Sequence, residues 1–112
     1  MVTTIKTVDE VFRALADPTR RSVVARLTLS TGSVSELAEP FAMALPSFVQ
    51  HLRVLEDCGL VRSTKTGRVR TYQLVPKRLR VAENWLAAQR DIWEQRADRF
   101  ERYITGLEED TR

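Results

Sequence analysis

Leu79, Leu86, Trp93, Phe100 and Leu107 recur every seven residues, and Ala82, Ala97, Tyr103 and Ile104 widen the same stripe. A seven-residue apolar period belongs to an α-helix. The 29 residues from Leu79 to Leu107 extend about 43 Å at a rise of ~1.5 Å per residue. A globule of 112 residues cannot cover a helix of that length unaided. The stripe therefore calls for a partner helix, most simply from a second copy of the chain, with Leu86, Trp93, Phe100, Ile104 and Leu107 in the seam. Trp85 and Ile92 fall off the seam and are expected to pack on the body of their own protomer. The competing reading, a small-molecule pocket around Trp85 and Trp93, is weaker, because an aromatic stripe at helical spacing more often serves as core.

The remainder of the chain is sized for one core and leaves no room for a separate catalytic domain. Its longest apolar run, Phe41 to Leu45, is far short of the roughly 18 residues that span a bilayer. The opening MVTTIKTVDE has no apolar stretch resembling a secretory signal. A single cysteine, Cys58, excludes an internal disulfide and a multi-thiolate zinc site. These features predict a cytoplasmic protein with no membrane partner. Net charge is only +3, but it is unevenly placed. Residues 44–80 hold eight basic groups (Arg53, Arg62, Lys65, Arg68, Arg70, Lys77, Arg78, Arg80) against Glu56 and Asp57. The flanks are neutral and acidic. A positive middle of this kind marks a surface for a polyanion.

Cap residues and apolar spacing divide the chain into elements. Thr7-Val8-Asp9-Glu10 reads as a capping box ahead of a first helix over 8–16, with Val8, Val11, Phe12 and Leu15 on its apolar face. Asp17-Pro18 starts a second helix, with Val23, Val24 and Leu27 inward, ending near Ser30-Thr31-Gly32. Ser33-Val34-Ser35-Glu36 is another capping box, opening a short third helix that stops before Pro40. A fourth helix spans Ala44 to Cys58, weakly capped, with Leu45, Phe48, Leu52 and Leu55 on one face and Gly59 as the left-handed residue that ends it. Two strand-like runs, Leu60–Lys65 and Arg68–Leu74, flank a turn at Thr66-Gly67. The long helix then runs from Pro76 to about Leu107. The expected architecture is mainly α with a small β-hairpin wing: a winged helix-turn-helix over 8–75 and a terminal helix over 76–107, forming one domain of 112 residues.

The chemistry follows from that order. A helix fits the DNA major groove, which is about 12 Å wide, and its polar face then meets base edges. On the fourth helix, the face opposite Phe48, Leu52 and Leu55 carries Pro46, Gln50 and Arg53, with Ser47 and Val49 on its flanks. Gln can pair with an adenine edge, and Arg with guanine or a phosphate. Lys65, Thr66, Arg68 and Arg70 on the hairpin suit phosphates or a minor groove. His51 is open between a structural role, a base-edge donor and a phosphate donor. Cys58 sits where a small residue packs before the closing glycine. One helix separates its backbone from that of His51 by ~10 Å, too far for a thiol–imidazole couple without the side chains leaning together. No nucleophile–base–orienter set, phosphate loop or metal cluster is visible, so the chain does not read as an enzyme.

ALADPTRRSVVARL (Ala14 to Leu27), SVSELAEPF and LPSFVQHLRVLEDCGLVRSTKTGRVRTYQL together resemble the ArsR-type family of bacterial winged-helix repressors. The ending AENWLAAQRDIWEQRADRFERYI is similar to a metal-independent branch of it. The resemblance covers roughly residues 8–107. It implies homodimers built from the first and last helices, which adds Val8, Val11 and Phe12 to the seam, and binding to inverted-repeat operator DNA to repress transcription. It also implies that Ser47, Gln50 and His51 contact DNA and that Lys65 to Arg70 form the wing. Two departures stand out. Val49 replaces a frequent serine, implying apolar contact with a thymine methyl in place of a polar one. The third helix lacks Cys-x-Cys and the last helix lacks histidine, so no metal or other cofactor is expected, and no small-molecule inducer is indicated. The rival reading is a winged-helix protein–protein module that has lost DNA binding.

Overall fold

A computed structural model describes the backbone from Val2 to Asp110 and side chains from Thr7 to Glu108. The order is α1 (Val2–Leu15), α2 (Pro18–Leu27), β1 (Gly32–Ser33), α3 (Val34–Ala38), α4 (Leu45–Asp57), β2 (Val61–Thr66), β3 (Val69–Leu74) and α5 (Pro76–Asp110). Two units are distinguished, Met1–Ala82 and Glu83–Arg112. The division falls inside α5 rather than at Pro76, because Ala82 is still buried in the first unit's core and Leu79 packs against that core.

The helix starts follow local chemistry. Asp17 is the N-cap of α2, its carboxylate accepting from the Arg20 backbone N–H at 3.0 Å, and Pro18 occupies the first turn, where a missing N–H costs nothing. Ser33 and Glu36 form the reciprocal capping box expected of α3, at 2.9 and 3.2 Å. The helix start expected at Thr7 is not where α1 begins. With no glycine or proline between Val2 and Glu10 to stop it, α1 runs back to Val2 and places Thr7 inside the helix. Ala44 precedes α4 without a side-chain cap, as its methyl group dictates.

The core of the first unit gathers Val11 and Ala14 of α1, Val23, Val24 and Leu27 of α2, Leu37 of α3 and Phe48, Leu52 and Leu55 of α4. Cys58, Leu60, Val61, Tyr72 and Ala82 close it. Val11 is 0% exposed, so it belongs to this core and not to the partner seam where it was expected. Its immediate neighbour Phe12 and the earlier Val8 are half-buried. Leu45 also departs from expectation. It is the first residue of α4 and 54% exposed.

Strands β2 and β3 form the hairpin, with Thr66 opposite Val69 and Val61 opposite Leu74. The turn is Gly67-Arg68, one residue later than the Thr66-Gly67 turn expected. Gly67 has φ +64° and Arg68 does not share the positive φ, the pattern of a type II′ turn with glycine first. A strand not anticipated from sequence, β1, adds to the other edge of β3 through Gly32 opposite Tyr72 and Ser33 opposite Thr71. Two residues are too few to show a period.

At the end of α4, Gly59 (φ +83°) donates to Glu56 O and Leu60 to Leu55 O, both at 3.0 Å. This is a Schellman motif, and it turns the chain from α4 into β2. The second unit consists of the rest of α5. Its Trp85, Leu86, Ile92, Trp93, Phe100, Tyr103, Ile104 and Leu107 are all exposed. Gly59→Ala should destabilise the protein by about 1–2 kcal/mol, since a Cβ is strained at that φ. A built Cβ would also stand 2.7 Å from Arg78 Nε. Arg78→Ala in the same chain should not restore the melting temperature, because the backbone strain remains; full restoration would show that the side-chain clash was the whole cost.

Candidate nucleic-acid interface

Burial of Phe48, Leu52 and Leu55 turns the opposite side of α4 to solvent. Pro46, Ser47, Gln50 and Arg53 are exposed there, as expected from the spacing. On the hairpin, Lys65, Thr66, Arg68 and Arg70 are exposed as well. Among the described residues, Gln50, Arg53, Lys65 and Arg68 make no side-chain hydrogen bond or ion pair within the protein. Their polar groups are available to an outside partner.

Arg70 differs. Its Nη1 donates to Ser63 Oγ at 2.8 Å, and Ser63 Oγ donates to Glu56 Oε2 at 2.7 Å. The relay runs from the wing to α4 and fixes the hairpin relative to the helix. Arg53, Glu56 and Arg70, with Val34, Val49 and Tyr72, line a cleft of about 330 Å³ between helix and wing. Val49 faces this cleft, half-buried beside the wing. On the other face of the ladder, Arg62 is held by its cross-strand neighbour Gln73. With the amide oxygen turned toward it, Gln73 accepts from Nη2 at 2.9 Å and from Nε at 3.1 Å.

His51 is 23% exposed in its side chain, and its Nδ1 faces inward. Arg20 Nη1 lies 3.2 Å from Nδ1, and Asp17 Oδ2 lies 3.6 Å away. Arg20 also donates through Nε to Ala14 O at 2.8 Å and through Nη2 to Arg13 O at 3.1 Å. Arg21 Nη1 reaches Leu15 O at 2.8 Å and Ala16 O at 3.1 Å. Two adjacent arginines thus satisfy the carbonyls left open at the end of α1. Sequence reasoning treated Asp17 to Arg20 as a helix start and a family signature, and missed this latch. The signal was the pair of arginines one turn after a helix end.

Cys58 is buried, and its Sγ donates to Leu55 O at 3.4 Å. Burial pushes its thiol above the ordinary value, which disfavours the reactive thiolate. The packing role expected for this residue accounts for its position.

Residues 15–64 match a family model described as a helix-turn-helix domain. Over 75 residues the chain is 40% identical to the HTH-type transcriptional regulator Rv2034 of Mycobacterium tuberculosis, covering 67% of this chain and 70% of that protein. It is 30% identical over 78 residues to the transcriptional repressor SdpR of Bacillus subtilis, covering 70% of this chain and 87% of the relative. The crystal structure of an ArsR family transcriptional regulator matches with a TM-score of 0.77 at 49% identity, over 80% of this chain and 92% of the other. The chain belongs to the ArsR family of transcriptional regulators.

Membership makes this ArsR-family chain a regulator of transcription rather than an enzyme. An ArsR-like transcriptional regulator from Rhodococcus sp. RHA1 shares the fold over 89% of this chain and 94% of its own, with a TM-score of 0.76. The mainly helical, winged architecture is therefore the family's own. No helix among the described residues is long and apolar enough to cross a membrane.

The latch carries a pH signature. The Arg20 backbone N–H, helped by the Arg20 guanidinium, holds the Asp17 carboxyl below its ordinary value of 3.8, against a smaller opposing effect of burial. A carboxyl lowered on folding stabilises the protein above its unfolded pKa, and that contribution is lost as pH falls through the folded value. Asn caps a helix about as well as Asp but does not titrate in this range. Asp17→Asn should therefore lower stability at neutral pH and converge on the parent in acid, once the pH has fallen below the lowered value of the folded carboxyl. Urea unfolding at several pH values reads this directly; a constant gap down to acid pH would remove the charge from the account.

Proposed function

We propose that this chain is a sequence-specific, double-stranded-DNA-binding repressor acting as a homodimer on an inverted-repeat operator. In this reading α4 enters a major groove, Ser47 and Gln50 meet base edges, and Arg53, Lys65 and Arg68 take phosphates. His51 and Thr66 add donors at the margins, and Pro46 sets the approach of the first turn of α4. The observation that carries the reading is the exposed and internally unpartnered set of Gln50, Arg53, Lys65 and Arg68 on two elements that the Glu56–Ser63–Arg70 relay ties together. Arg53, Lys65 and Arg68 form no ion pair with a carboxylate among the described residues.

The apolar side of α5 supports the second copy. Trp93 and Phe100 are 67% and 65% exposed, and Leu86, Ile104 and Leu107 continue their stripe at helical spacing. A helix of this length gains most of its stability by burying such a face, and a large uncovered stripe is a site of association. A heptad stripe fits an antiparallel or parallel copy of itself. Half-buried Val8 and Phe12 extend the same reading to α1. Two copies would place two recognition helices on half-sites one or more helical turns apart.

Anisotropy titration against genomic fragments at several salt concentrations tests the DNA reading. A salt-sensitive complex is expected, and its absence at modest ionic strength would leave a protein–protein module as the better account. Gln50→Ala should weaken the operator complex and relax its sequence preference. Arg68→Ala should weaken binding to all sequences and reduce the salt slope by about one unit. Unchanged operator affinity in Gln50→Ala would mean that a different face reads the bases. In sedimentation equilibrium the parent chain should run at twice its 12.9 kDa mass, and Phe100→Glu should shift it toward the single chain. A parent protein that sediments as one protomer overturns the dimer.

A further inference from the structure

The junction of α1, α2 and α4 sets the chemical form of one interface residue. A guanidinium has five N–H donors, no acceptor, and stays protonated. Where Arg20 Nη1 meets His51 Nδ1 at 3.2 Å, the ring nitrogen must be the acceptor. Asp17 Oδ2 favours the opposite arrangement, a proton on Nδ1, but at 3.6 Å it is outside hydrogen-bond range, and it already accepts from the Arg20 backbone. The neutral ring therefore keeps its proton on Nε2. That nitrogen has no partner among the described residues, and it is not an enclosed, unsatisfied atom. It is the polar end of His51 that solvent or a ligand can reach. His51 follows Ser47 by four residues, so the two neighbour each other on the exposed side of α4.

We propose that Arg20 is a positioning residue for DNA binding: it holds His51 as the Nε2–H tautomer, a fixed single donor for a DNA phosphate oxygen, and anchors that donor to the end of α1. The inference rests on the reading of α4 as the DNA-facing helix. Arg20 does not touch DNA in this account. Its fork is fastened by Ala14 O and Arg13 O, so the imidazole is oriented by a group that is itself rigid. A donor whose proton and orientation are both set in advance loses less entropy when the phosphate arrives.

His51 is the single histidine in the chain, so the imidazole nitrogens of the full-length protein are read by 15N NMR without assignment. In mildly alkaline buffer without DNA, the protonated nitrogen should be Nε2, and Arg20→Ala should give a mixture of tautomers. A proton on Nδ1 in the parent protein overturns the proposal. On DNA, His51→Asn offers an acceptor near the Nδ1 position but ends short of Nε2, and should weaken the complex about ten-fold. His51→Gln reaches the Nε2 position with its amide and should stay within about three-fold of the parent. Arg20→Ala should weaken binding, yet add less than about two-fold to His51→Asn in the double variant. Losses that multiply overturn the coupling. The Asn and Gln comparison leaves Arg20 in place, so it decides the matter even if Arg20→Ala does not fold. Failure of the parent to bind any DNA sinks the reading of α4, whereas a parent complex with both His51 variants bound equally well sinks the positioning role alone.

Discussion

The interface depends on how α4 is seated. Phe48, Leu52 and Leu55 are fully enclosed by the first unit's core, and this alone determines which side of the helix remains for a partner. Sealing three large side chains contributes several kcal/mol, at about 1.5–3 kcal/mol each. Rotating the helix to present another face would expose them. Phe41, from the connection before α4, packs on Phe48 as a tilted ring pair with centroids 5.4 Å apart. Ser47, Gln50 and Arg53 point outward as the complement of that burial. Their polarity did not cause the orientation; it makes use of it.

Burial sets rotation, but polar contacts set the attachments at either side. Toward α1, Arg20 and Arg21 satisfy carbonyls that a helix end would otherwise leave to water, and Arg20 touches α4 through His51. Toward the wing, Glu56, Ser63 and Arg70 form a chain of two short hydrogen bonds. A two-stranded ribbon is marginal by itself, and this one is steadied by the relay, by β1 on its other edge and by the buried Val61 and Tyr72 at its base. Lys65, directly across the ladder from Arg70, and Arg68 in the turn carry their charges at the exposed tip.

Element types were legible because their signals are local: Asp17-Pro18, Ser33 with Glu36, Gly59 and Gly67 each act within four residues. The failures have the same origin. Thr7 and Glu10 have the right spacing for a capping box, but nothing before them breaks the helix, and α1 runs back to Val2. Strand β1 exists because β3 offers it an edge, which no reading of Gly32-Ser33 could supply. Exposed Gln50, Arg53, Lys65 and Arg68 followed from periodicity. The partners of Arg20, Ser63 and Arg70 did not, since those contacts join positions 6 to 31 residues apart.

The terminal helix shows most plainly what a sequence period can specify. Its seven-residue period does specify one long helix, and α5 runs for 35 residues. The period also divides the apolar residues into a seam and two outliers, Trp85 and Ile92, which are 47% and 56% exposed. Apolar side chains flanking both sides of a seam widen the face that a partner must bury, beyond the narrow two-per-heptad contact of a simple coiled coil. A face that wide fits packing against more than one helix. Val11 of α1, sealed within the first unit's core, has no surface left to offer such a face.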